Sequence, residues 1–132
     1  MKSLLYPAIG MVLVAIGMVL GAFATAAAGQ EKTLDPVKVM PKYYTVRLEN
    51  DRVRVLEYRL EPGAKEVMHS HLPGRVYVMA DASFRSTNSE GATSVSSRKA
   101  GDIFWRESST HSAENIGGTE AHGLSIELKP CR

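Results

Sequence analysis

From residue 42 onward the chain alternates between apolar and polar positions in short runs. Tyr43-Tyr-Thr-Val-Arg-Leu48 and Arg52-Val-Arg-Val-Leu-Glu-Tyr-Arg-Leu60 show this most clearly. Alternation with a period of two is the signature of a half-buried β-strand. The second run slips phase near Leu56, which predicts a bulge there. Further strands are predicted over 66–71, 75–79, 83–87, 93–96, 103–106 and 122–128. Turn formers separate them: Glu49-Asn-Asp51, Pro62-Gly63, Pro73-Gly74, Asn88-Ser-Glu-Gly91, Ala100-Gly-Asp102 and Asn115-Ile-Gly-Gly118. The serine-rich stretch 86–97 fits polar hairpin strands. No window after residue 30 repeats its apolar residues at helical spacing. Many short strands at this spacing predict an all-β sandwich or barrel, and a small closed antiparallel barrel can hold a ligand.

The first 28 residues follow a different pattern. They carry one charge, Lys2, then a long apolar run that ends in alanines. A short basic start, an apolar core and a small-residue exit describe a secretory signal peptide. The uncharged run is also long enough to span a bilayer, so an anchor over residues 4–28 is the alternative. The expected location is periplasmic or secreted, or membrane-anchored if the segment is retained. Residues 29–41, polar and containing Pro36 and Pro41, read as a linker, and 42–132 as the barrel domain.

Charge narrows the partners. Without residues 1–28 the net charge is +1, and the arginines are scattered. That excludes the basic footprint of a nucleic-acid binder. The single cysteine, Cys131, cannot form an internal disulfide. No Ser-His-Asp or Cys-His set points to covalent catalysis.

The chemistry lies in the histidines. Gly63-Ala-Lys-Glu-Val-Met-His69-Ser-His71 places two of them two residues apart, on one face of a strand. Gly101-Asp-Ile-Phe-Trp-Arg-Glu-Ser-Ser-Thr-His111-Ser-Ala-Glu-Asn115 supplies a third. Three imidazoles converging from neighbouring strands form a face for Zn, Cu, Fe or Ni, and the metals expected here are Fe, Zn, Mn or Cu. His122, which begins the last predicted strand, reads as a surface or supporting residue. Glu66 and Glu114, each three residues from a histidine, are candidates to orient a ligand from behind. Tyr58, Tyr77, Phe104 and Trp105 read as core or cavity wall.

At these two blocks the chain resembles the cupin superfamily. That family's first motif is glycine, five residues, His-x-His, three or four residues, glutamate, then glycine. Its second is glycine, five residues, Pro-x-Gly, then histidine, three residues and asparagine. Gly63, His69 and His71 match the first; Gly101, His111 and Asn115 match the second. Asp102 and Trp105 are also similar to members of the group. The resemblance spans about residues 45–129 and implies a double-stranded β-helix, or jelly roll, with metal on His69, His71 and His111. Three features depart from the pattern. The glutamate position falls on Arg75 or Val76, Pro-x-Gly is replaced by Glu107-Ser-Ser109, and the later glycine is missing from Val76-Tyr-Val-Met-Ala-Asp-Ala82.

Arg75 stands between two readings. Unbroken alternation from His71 would point Arg75 and Tyr77 inward as substrate-orienting residues. A register slip at Gly74 would turn them out to solvent. A cupin with three histidines and no glutamate is similar to non-heme-iron dioxygenases that act on thiols or β-diketones. Export complicates iron, because affinity along the first-row series favours copper and zinc. The alternative is a non-catalytic small-molecule binder with a degenerate metal site. A homodimer that exchanges residues 36–48 as an edge strand is a further reading.

Overall fold

The computed structural model describes residues 34–131. The signal or anchor segment and residues 29–33 of the linker lie outside the described residues. One helical turn precedes nine strands: α1 (Pro36–Val39), β1 (Tyr44–Glu49), β2 (Val53–Leu60), β3 (Lys65–His71), β4 (Gly74–Val78), β5 (Ala82–Asn88), β6 (Thr93–Arg98), β7 (Ile103–Arg106), β8 (Ser109–Asn115) and β9 (Ala121–Leu128). They form two antiparallel sheets, ordered β1-β2-β9-β4-β7 and β3-β8-β5-β6. The fold is all-β, as the alternation predicts, and is the jelly roll implied by the resemblance. Among the described residues no helix is long and apolar enough to cross a membrane.

Leu56, Leu60, Tyr44, Tyr58, Val76, Ala82, Ala121 and Met40 form the core between the sheets. Full burial of a leucine contributes about 1.5–3 kcal/mol. Within the 29–41 segment, residues 34–40 pack onto the strands that follow. Asp35 caps α1 by accepting from Val37 N at 3.0 Å, Pro36 is buried, and Ser70 N donates to Leu34 O at 2.8 Å. Proline suits the first turn of a helix because no partner is needed for its missing N–H. β1 pairs with β2 of its own chain.

The bulge expected in β2 lies in its partner, where the register shifts between Val46 and Leu48. β2 pairs with β9 without interruption. The phase slip near Leu56 has another cause: Glu57 on the outer face is covered by Arg47, Arg59 and His122. Both faces of β2 are therefore buried at that point. A real bulge lies in β3, where Glu66 faces Ala113 and His69 faces His111. One extra residue lets Glu66 and His69, three apart, point inward together. The polar 86–97 stretch is the β5–β6 hairpin. Ser83 bonds Ser97 at 2.9 Å, and Asn88 Oδ1 accepts from Ala92 N at 2.9 Å across the turn.

The glycines that lead the two histidine blocks have a backbone reason. Gly63 and Gly101 have φ of 79° and 92°, a left-handed conformation that costs glycine least. Asn115 is fully buried and locks the end of β8: its Nδ2 donates to Leu60 O and Thr119 O at 2.9 and 2.8 Å.

Candidate metal centre

β3 and β8 are neighbours, and their register sets His69 opposite His111. The ring centroids are 4.6 Å apart, and those of His71 and His111 are 5.5 Å apart. Each histidine offers one ring nitrogen, all within 4.8 Å of one another. His69 and His71 are buried and His111 is partly buried. The structure thus brings together the three residues singled out from the sequence.

Their tautomers follow from their partners. His69 Nδ1 lies 2.8 Å from Val67 O, and a carbonyl can only accept, so Nδ1 carries the proton. His71 Nδ1 lies 2.7 Å from Glu127 Oε1. Both Nε2 atoms then present lone pairs, and they face each other at 3.0 Å. Two bare lone pairs at that distance repel unless a cation lies between them. Burial also keeps these rings neutral. It lowers the proton affinity of all three, the nearby Arg106 charge adds to this, and His111 falls to about 4. Two nitrogens bound to one ion at about 2.0–2.1 Å stand about 3.0–3.4 Å apart. The donor set therefore fits a divalent transition metal.

The carboxylates are distributed differently from the sequence expectation. Glu114 points outward and pairs with Arg85 at 3.1 Å. Glu66 points inward but accepts from Tyr44 OH at 2.5 Å, not from a histidine. Burial pushes Glu66 up to about 7. Tyr44 packs its ring 5.7 and 5.8 Å from those of His69 and His71. His122 is on the outer face, 2.7 Å from Glu57. The carboxylate that meets one of the three histidines is Glu127, whose side chain is 3% exposed and lies against His71 Nδ1.

Arg75 and Tyr77 do not reach the centre. The Pro73-Gly74 link carries the chain from one sheet to the other, and alternation restarts with Val76 and Val78 buried and Arg75 and Tyr77 exposed. Arg75 lies over the Trp105 ring, 5.0 Å from its centroid. Val76 faces the cavity at the family's glutamate position. The cation beside the histidines is Arg106. Its Nη2 donates to Ser125 Oγ at 2.5 Å and lies 3.6 Å from Glu127 Oε1. Register places Arg106, Gly74 and Glu127 in one row across β7, β4 and β9. No side chain stands between the two ions. Burial lowers the Arg106 pKa, yet a guanidinium remains charged.

A cavity of about 180 Å³ opens beside the histidines. His71, His111, Tyr44, Glu66 and Arg106 contribute its polar wall, and Val76, Phe84 and Phe104 are part of its apolar wall. An apolar cavity of about 150 Å³ admits benzene, so this one has room for a molecule of roughly that size. Buried polar groups among apolar walls are the ordinary make-up of a small-molecule site.

Comparison with solved structures agrees with this architecture. A cupin domain from Bordetella pertussis Tohama I is 30% identical, with a TM-score of 0.60, over 66% of this chain and 92% of that one. A double-stranded β-helix protein from Klebsiella pneumoniae is 23% identical with a TM-score of 0.51, over 66% of this chain and 75% of that one. A cupin superfamily protein from Desulfitobacterium hafniense is 12% identical with a TM-score of 0.50, over 66% and 76%. No protein-family profile matches the chain, and no curated protein does. Fold, motif residues and these likenesses together show that the chain belongs to the cupin superfamily.

Proposed function

We propose that this cupin holds one divalent transition metal ion, Fe, Zn, Mn or Cu, on Nε2 of His69 and His71 and a ring nitrogen of His111, and that a small molecule binds beside it. The observation that carries this reading is the 3.0 Å approach of the His69 and His71 Nε2 atoms with His111 beside them. Each of those first two rings has its other nitrogen committed to an acceptor, the arrangement that orients metal-binding imidazoles. Three protein ligands leave coordination positions open. Such an ion supplies Lewis acidity or, if redox-active, oxygen chemistry of the dioxygenase type.

The chain's own residues do the rest. Glu127 fixes the His71 ring, Val67 O fixes the His69 ring, and Tyr44 packs against both. Phe84, Val76 and Phe104 keep part of the cavity apolar. A non-catalytic binding role is the second reading, favoured by Val76 at the position where the family carries a ligating glutamate. The basic, apolar, alanine-ended start of the chain supports export of the protein or its anchoring in the inner membrane.

Elemental analysis tests the metal. About one equivalent in the parent and none in His69→Ala/His111→Ala is the expected result. A parent that takes up none of Fe(II), Zn, Mn or Cu on reconstitution overturns it. Amino-terminal sequencing of the protein recovered from its producing cells tests export, with loss of residues 1–28 expected.

A further inference from the structure

The charges around the cavity do not balance once a metal is present. Three neutral imidazoles would carry a dication, and Arg106 adds a fixed positive charge on the same wall. Arg98 also lines the cavity, resting on Phe104 with 4.5 Å between guanidinium and ring centroid. Two carboxylates are nearby, and both are engaged. Glu66 accepts from Tyr44, and Glu127 accepts from His71.

Arg106 itself is only partly satisfied. One nitrogen, Nη2, has a hydrogen-bond partner, and Nε is buried without any. A guanidinium presents five N–H donors in a planar fork that matches a carboxylate. Arg106 lines the cavity, so a carboxylate that enters it meets this guanidinium. Val76, Phe84 and Phe104 on the neighbouring walls suit a short apolar body.

Resting on the metal reading above, we infer that the cavity binds a small monocarboxylate, with Arg106 gripping its carboxylate and the rest of the molecule beside the three histidines. The ligand's negative charge then offsets the positive excess of the site. Arg75, the cation indicated by the motif spacing, has no part in this because it lies on the outer face.

Butyrate and its neutral isostere butyramide are suitable probes. Their binding is followed by NMR chemical-shift titration, on zinc-loaded protein and on protein stripped with a chelator. Butyrate should bind at least tenfold tighter than butyramide in both forms. Arg106→Gln should lose that preference while its zinc content stays unchanged. Arg106→Lys, which keeps the charge and loses the fork, should retain part of it and serves if the glutamine variant does not fold. Equal binding of the two probes to stripped wild-type protein overturns the inference. So does an undiminished preference in Arg106→Gln, which would place the carboxylate on zinc alone and leave the metal reading standing. Protein that takes up none of Fe(II), Zn, Mn or Cu yet prefers butyrate would refute the metal reading and leave the grip of Arg106 on the carboxylate standing.

Discussion

His71 Nδ1 and Glu127 Oε1 lie 2.7 Å apart although 56 residues separate them in the chain. The contact sets the His71 tautomer, because a proton held at Nδ1 leaves Nε2 bare for a metal. Glu127→Ala removes that constraint, and supporting partners of this kind are typically worth 10–100-fold in metal affinity. Competition against a chromophoric chelator should show a loss in that range, with circular dichroism unchanged. Glu127→Gln, which still offers an acceptor, should lose less.

Metal binding should resist acid. Protons compete with metal for imidazole nitrogen, and an ordinary histidine is half-protonated at about 6.5. Burial depresses all three ligands, with His111 at about 4. Apparent affinity should therefore stay nearly flat from about pH 8 to about pH 5 and fall as pH approaches 4. A steep loss centred on pH 6.5 would show the site to be open to water.

Glu66 makes the opposite contribution in metal-free protein. Its folded-state pKa of about 7 exceeds the ordinary 4.5. The folded state therefore holds the proton more tightly, and stability from this group is lost as pH rises from 4.5 through 7. Glu66→Gln keeps an acceptor for Tyr44 and cannot ionise. Its stability relative to the parent should rise across that window by at most about 3 kcal/mol. Urea titrations at pH 5 and pH 8 measure the difference.

Arg75→Ala should leave metal content and butyrate binding unchanged and shift stability by less than about 1 kcal/mol. The side chain loses only its exposed contact with the Trp105 ring. A loss of ligand binding in this variant would mean that β4 has the reverse face inward.

Gly74→Ala should be among the most damaging single changes. A Cβ there would overlap the Ile126 carbonyl oxygen of the paired strand β9. Backbone cannot move aside as a flexible side chain can. About 3 kcal/mol or more of stability should be lost, seen as a lower midpoint in urea.

Much of this protein could be read from one dimension. Alternation gave the strands because a pleated strand points successive side chains to opposite faces. Gly63 and Gly101 marked turns, and His69-x-His71 declared a shared face within a single strand. Those are local relations, set by a few neighbouring residues. Partners across strands are not local. In β9, Leu124, Ile126 and Leu128 suggest an inward apolar face, yet Ser125 and Glu127 are the buried ones. In β7 the unbroken run Ile103-Phe-Trp-Arg106 carries no phase at all, and pairing with β4 turned Phe104 and Arg106 toward the cavity. Arg75 went outward because the chain changed sheets at Pro73-Gly74. Sequence alone thus determined eight of the nine strands and singled out the three histidines; β8, which carries His111, is polar throughout except for Ala113 and shows no alternation. The tertiary structure decided which carboxylate orients them and which arginine faces them, because those contacts depend on register between segments far apart in the chain.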